Sequence, residues 1–202
     1  EGEVLRRIQL KGFSDPEAVE MMDNGRMAIV DERRRQLTTF TLHDDDLELD
    51  AADLPGFDLG FVDAGNKGFE AVGWDARSSS LMLGKERSPM GLFSLPFPGE
   101  DGAAGVMQPF NYDSLGVRDI SSLSIDARTG HALVLSDESR MLLELDRSGH
   151  PISFLSLTGG LNGLEQGIKQ AEGVTMDEEG NIYIVAEPNL FYVFSKTRPG
   201  AS

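Results

Sequence analysis

Cysteine is absent from this sequence of 202 residues. Disulfides, thiolate zinc sites and cysteine nucleophiles are excluded together. Basic residues are few, 18 against 34 acidic ones, and the formal net charge of −16 gives a surface that repels phosphate backbones. No basic stripe with interleaved aromatics offsets it. Nucleic-acid binding is therefore not expected, and a cationic partner or bound metal ions fit better. Long apolar runs are missing as well: none approaches the roughly 18 to 20 residues of a membrane-spanning helix, and the first residues carry no signal-peptide pattern. Histidine occurs three times, at His43, His131 and His150, in turn-like surroundings and without metal-ligand spacing. Serines abound, yet no Gly-x-Ser-x-Gly elbow occurs.

What the chain does contain is a repeat. Its clearest copy is Gln170-Ala171-Glu172-Gly173-Val174-Thr175-Met176-Asp177, then Asn181-Ile182-Tyr183-Ile184-Val185-Ala186-Glu187, then Leu190-Phe191-Tyr192-Val193-Phe194. Weaker copies run from Glu17-Ala18-Val19 to Val30-Asp31-Glu32, from Glu70-Ala71-Val72 to Gly84-Lys85-Glu86, and from Ser121-Ser122-Leu123 to Ser136-Asp137-Glu138. Their first positions lie 53, 51 and 51 residues apart. A period of this length made only of short strands and turns predicts a radial architecture, because one four-stranded sheet cannot bury both faces without neighbours. The expected fold is all-β: a single propeller domain over residues 1–202, built of four-stranded antiparallel blades, with repeats near 1–50, 51–115, 116–160 and 161–202.

Within each repeat the expected order is inner, second, third and outer strand. Val4-Leu5-Arg6-Arg7-Ile8-Gln9-Leu10 resembles Pro151-Ile152-Ser153-Phe154-Leu155-Ser156-Leu157 and reads as an outer strand without its own blade. Pairing it with the third strand of the last copy, Leu190–Phe194, would close the ring and remove two free sheet edges. The acidic run His43–Asp50 reads as a solvated loop without calcium-loop spacing. Pro96–Gly105 reads as a mobile connection, and Gly159–Gly167 as a surface loop on a face where a protein or small-molecule partner would bind.

Aligned, the copies give two columns. The inner-strand column is Glu17, Glu70, Ser121 and Glu172; the second-strand column is Glu32, Glu86, Glu138 and Glu187. Inner strands line the axis of a propeller, so the first column forms a ring of carboxylates that cannot all stay ionised without a counter-charge. Calcium, with about six to eight oxygen ligands, would supply it. Ser121 would then offer a hydroxyl, carbonyl or water, with Asp119 as a substitute. The second column, with Asp31 and Asp137 beside two of its members, could add metal ligands or could instead tie blade to blade through backbone amides, and Lys85, Arg33 and Arg140 stand close enough in sequence to pair with it. Trp74, Tyr183, Phe191, Tyr192 and Phe194 read as packing between blades.

Gly68-Phe69-Glu70-Ala71-Val72, Ile168-Lys169-Gln170-Ala171-Glu172-Gly173-Val174 and Ile182-Tyr183-Ile184-Val185-Ala186-Glu187-Pro188 resemble the SdiA-regulated family of bacterial cell-envelope β-propellers, over about Val4 to Phe194. The resemblance implies a five-bladed ring whose first blade is absent from this sequence, and a place on the periplasmic side of the envelope. It also implies membrane association only through an upstream anchor that this chain does not contain. Two function classes follow. One is a non-enzymatic binding module with calcium at the axial carboxylates. The other is a calcium-dependent hydrolase, a phosphoesterase or lactonase, whose axial metal would activate water.

Overall fold

The computed structural model describes residues 3–60, 68–87, 89–97 and 104–195. The centre of the Pro96–Gly105 connection lies outside them. The chain enters through β1 (Gln9–Lys11) and builds its first blade from β2 (Pro16–Met21), β3 (Arg26–Asp31) and β4 (Gln36–Thr41). Next comes β5 (Glu48–Asp50), which pairs with β1, and then β6 (Gly56–Asp58), which completes the blade on β4. The second blade is β7 (Phe69–Asp75), β8 (Ser80–Lys85), β9 (Gly91–Pro96) and β10 (Gln108–Pro109). The third is β11 (Ser122–Ile125), β12 (Ala132–Ser136), β13 (Met141–Leu145) and β14 (Pro151–Ser156). The fourth has three strands, β15 (Ala171–Met176), β16 (Ile182–Ala186) and β17 (Leu190–Phe194). Every pairing within a blade is antiparallel, and the four sheets stand around one axis as a four-bladed β-propeller.

Local chemistry fixes the hairpins. Asp75, Asp126 and Asp177 end the inner strands of blades two to four, and each Oδ1 accepts a backbone N–H from the turn that follows: Arg77 at 3.0 Å, Arg128 at 2.9 Å and Asn181 at 2.7 Å. Aspartate at this place closes the turn with its own side chain. The first blade uses Asp23-Asn24-Gly25 instead, with Asn24 and Gly25 in the left-handed region.

The core lies between blades, as a stacked-sheet fold requires. Ala28, Val30 and Leu37 meet Val72, Leu81 and Leu83 between the first and second. Ile120, Leu123 and Val134 meet Ala71 and Leu92 between the second and third. Leu133, Leu135 and Leu142 meet Ile184 and Ala186 between the third and fourth. Gly73 lets β7 press against β11, since a Cβ there would lie 2.8 Å from a Leu123 methyl.

The expected ring closure is not what the structure shows. Residues 4–8 form no strand, and β1 pairs in parallel with β5, while β17 pairs only with β16 among the described residues. The reason is packing. Ile8, Phe13 and Leu49 cover Ile29 and Phe40 on the far face of the first blade, an apolar patch that the N-terminal segment reaches with less chain than β17 would require. The corresponding face of the fourth blade stays bare. Tyr183 and Phe191 stack there with ring centroids 5.9 Å apart, and Phe191 is 62% exposed. These two aromatics do not pack between blades, whereas Tyr192 and Phe194 do.

Candidate functional site

All four inner strands run the same way, so their first residues gather at one end of the axial channel. Three of the four begin with the same irregularity. Pro16 faces Asp31 and Ala18 faces Val30, leaving Glu17 as an extra residue. Phe69 faces Lys85 and Ala71 faces Gly84, leaving Glu70; Ala171 faces Ala186 and Gly173 faces Val185, leaving Glu172. A bulge swings its side chain out of the sheet's alternation. Here Glu17 lies within electrostatic reach of both Glu70 and Glu172. In the third blade Ser121 precedes an unbroken ladder, and its N–H and hydroxyl both donate to the Leu135 carbonyl, at 3.0 and 3.4 Å.

The electrostatics record that convergence. Partial burial raises Glu17, with Asp15, Glu32 and, from the fourth blade, Glu172 adding to the rise. Burial pushes Glu70 up to about 8, helped by the charges of Glu86, Glu32 and Glu17 and by a hydrogen bond with the Glu86 carboxyl. Glu172 is raised by burial and by Asp137, Glu187, Asp119 and Glu86. Carboxylates held this close share protons or take up a cation. The tightest group is Asp15, Glu17 and Glu32, one ligand oxygen of each lying within 4.8 Å of the others. An ion of calcium's size fits this donor set: three hard carboxylates with solvent access, to which water adds the remaining ligands.

The two columns separate by role. Each glutamate of the second has a protein partner. Glu32 accepts the Gly68 N–H of the next blade at 2.7 Å. Arg87 joins Glu86, at 2.7 Å, to Glu138 of the third blade. Glu187 accepts the Gln170 side-chain amide at 2.9 Å. Neither Lys85 nor Arg33 joins this column. Lys85 is buried, its ammonium donating to the carbonyls of Arg87 and Pro89, and Arg33 pairs with Asp15 at 2.8 Å. Glu32 alone serves both as strut and as member of the candidate site. Asp119 is buried and accepts the Ser136 hydroxyl and the Glu138 N–H.

Reasoning from the repeats set Asp31 and Asp137 beside the second column but missed Asp15 and Arg87 as builders of this end of the channel. Buried Asp31 accepts the N–H groups of Ser14 at 2.6 Å, Asp15 at 3.2 Å and Arg34 at 3.0 Å, and so fixes Asp15 beside Glu17. Asp137 accepts the Ala171 N–H at 3.1 Å and does the same for Glu172. A signal was present: two positions ahead of the inner column the copies read Asp15, Gly68, Asp119 and Gln170. The histidines have other partners, His131 with Glu144 at 2.7 Å and His150 with Asp146 at 3.2 Å.

Comparison with known proteins agrees with this architecture. The family model described as SdiA-regulated matches residues 1–195. A glutaminyl cyclase of Myxococcus xanthus is similar in fold, with a TM-score of 0.63 and 12% identity over 91% of this chain and 66% of that one. A gluconolactonase of Xanthomonas campestris gives 0.57 and 13% over 88% and 56%. A chain of a nidogen/laminin complex gives 0.56 and 14% over 87% and 57%. The chain thus spans less than two thirds of each of these structures. At such identities the likeness is one of fold, and chemistry must be argued from the residues.

Proposed function

The chain belongs to the SdiA-regulated family, and from that premise we propose that it is a non-enzymatic binding propeller of the bacterial cell envelope whose channel carboxylates hold a calcium ion. The observation that carries this reading is the bulge repeated at Glu17, Glu70 and Glu172, which spends regular pairing in three blades to bring like charges together. Like charges gathered this way are relieved by protons at low pH and, near neutrality, by a cation that joins them. Asp15, Glu17 and Glu32 are the first ligands, and Glu70 and Glu172 complete the negative field around them. The ion sits on the first blade at the mouth of the channel, while the loops, among them Gly159–Gly167, present the surface to a protein or small-molecule partner on the periplasmic side. No helix among the described residues is long and apolar enough to cross a membrane.

Thermal unfolding in chelator, followed by a calcium titration, tests this directly. A ligand that binds only the folded chain adds about 2.7 kcal/mol at about 100 times its dissociation constant, which raises the melting temperature of a domain this size by roughly 5 to 10 °C. The double variant Glu17→Gln, Glu32→Gln should lose the rise, and Glu187→Gln, at a strut, should keep it. A melting temperature indifferent to calcium, or a rise that survives the double variant, would overturn the reading.

A further inference from the structure

The opposite end of the channel is built differently. There the inner strands finish, and a cavity of about 490 Å³ opens between them, within the size range of small-molecule sites. Its walls mix polar and apolar groups, the apolar share being Val19, Met21, Trp74, Ile125, Val174 and Met176 from all four blades. Into this surface projects one carboxyl group, that of Glu20, whose recorded partner is the backbone N–H of Trp74 at 3.3 Å. Asp23 and Asp75 add negative charge at the wall. The one cationic residue of the lining, Arg77, donates to the carbonyls of Ala127 and Arg128, so its charge is turned toward the neighbouring blade's turn. Trp74 keeps its indole nitrogen out of solvent with no hydrogen-bond partner. Its ring packs on the core between the first two blades and also lines the cavity.

We propose that this cavity binds a small organic ammonium ion with an apolar body, the charged head on the Glu20 carboxylate and Trp74 ring and the body among the methionine and valine side chains. The chemistry is complementary at each point. A carboxylate in an apolar wall lacks a counter-charge, which an ammonium group supplies with hydrogen bonds. A tryptophan face attracts the same cation through its quadrupole. Thioethers adapt to an alkyl or aryl chain of variable shape. Burial lifts Glu20 to about 7, in keeping with a group that lacks a cationic partner. The assignment rests neither on the family nor on the carboxylates at the other end, since Glu17 and Glu20 stand at opposite ends of β2.

Trp74 is the only tryptophan and lines this cavity, so its fluorescence responds to a ligand bound there. With chelator present throughout, the protein is titrated with phenethylamine, with its neutral isostere phenethyl alcohol and with the anion hydrocinnamate, and calorimetry repeats each titration. Phenethylamine should give a saturable change, the alcohol should bind about tenfold or more weaker, and hydrocinnamate should not bind. Glu20→Gln should weaken the amine by about tenfold or more and leave the alcohol unchanged. Met21→Lys, at a position 67% exposed, should weaken the amine by repulsion more than it weakens the alcohol. Equal binding of amine and alcohol, preference for the anion, amine binding indifferent to both substitutions, or no saturable change with any compound would overturn the proposal.

Discussion

In chelating buffer the melting temperature should fall as the pH is raised from about 5 to about 8, the reverse of the usual trend for an acidic protein. The sign follows from two carboxyls. Glu70 titrates at about 8 and Glu20 at about 7 in the folded chain, against an ordinary 4.5. Between those values the folded state holds protons that the unfolded chain has lost. The stability they represent is complete below the ordinary value and is gone once both have ionised. Asp126 and Asp177 set the acid limit. Arg128 hydrogen-bonds Asp126, and Asn181 and Tyr183 hydrogen-bond Asp177 against the pull of desolvation; both are held near about 2, so their contribution is lost only as the pH falls below the usual aspartate range. Glu70→Gln should flatten the slope and raise the melting temperature at about pH 8 by roughly 5 °C, corresponding to about 2 kcal/mol once solvent screening is discounted. Calcium should flatten it too, because a cation replaces the protons and releases them to solvent. A melting temperature that rises across this range in chelator, or is unaltered in Glu70→Gln, would contradict the account.

Asp31→Ala should be among the most damaging single substitutions away from the apolar core, costing about 3 kcal/mol, or roughly 6 to 12 °C in melting temperature. Asp31 is 1% exposed and accepts three backbone N–H groups. Alanine would leave those donors without an acceptor. It would also free Ser14 and Asp15 from β3, so the variant should show a weaker calcium response even at temperatures where it is folded. Asp31→Asn, which keeps one acceptor oxygen, should recover part of both losses. If Asp31→Ala melted within a degree or so of the parent, or kept its full calcium response, the role given to this side chain would be wrong.

How much of this could be read from the chain depends on range. Blade order and hairpins are local, written in alternating apolar residues and in turn signals such as Asp23-Asn24-Gly25 and Arg128-Thr129-Gly130, and the repeat multiplied that signal four times. The glutamate columns emerged from the same alignment. The bulges did not, because the period of a strand is unchanged by one extra residue at its start; Glu17 reads the same in sequence whether it sits in the ladder or out of it. Asp15 was overlooked because it precedes the strand, where it counts as loop until Asp31 fixes it from 16 residues away. The parallel pairing of β1 with β5 depends on which apolar patch the N-terminal segment covers, a tertiary competition that no strand propensity records. The cavity around Glu20 needed the ends of all four inner strands in place before it existed.

The bare face and free edge of the fourth blade bear on how the molecule comes apart. Each of the other blades has four strands, whereas this one has three among the described residues, with Phe191, Val193 and Val185 in solvent. In amide hydrogen exchange, β17 and then β16 should lose protection first, by partial openings that leave the second and third blades intact. Such an opening would strip Glu187 from its sheet but leave Asp15, Glu17 and Glu32 together on the first blade. The propeller would then fray from its last sheet while its candidate ion site stayed assembled.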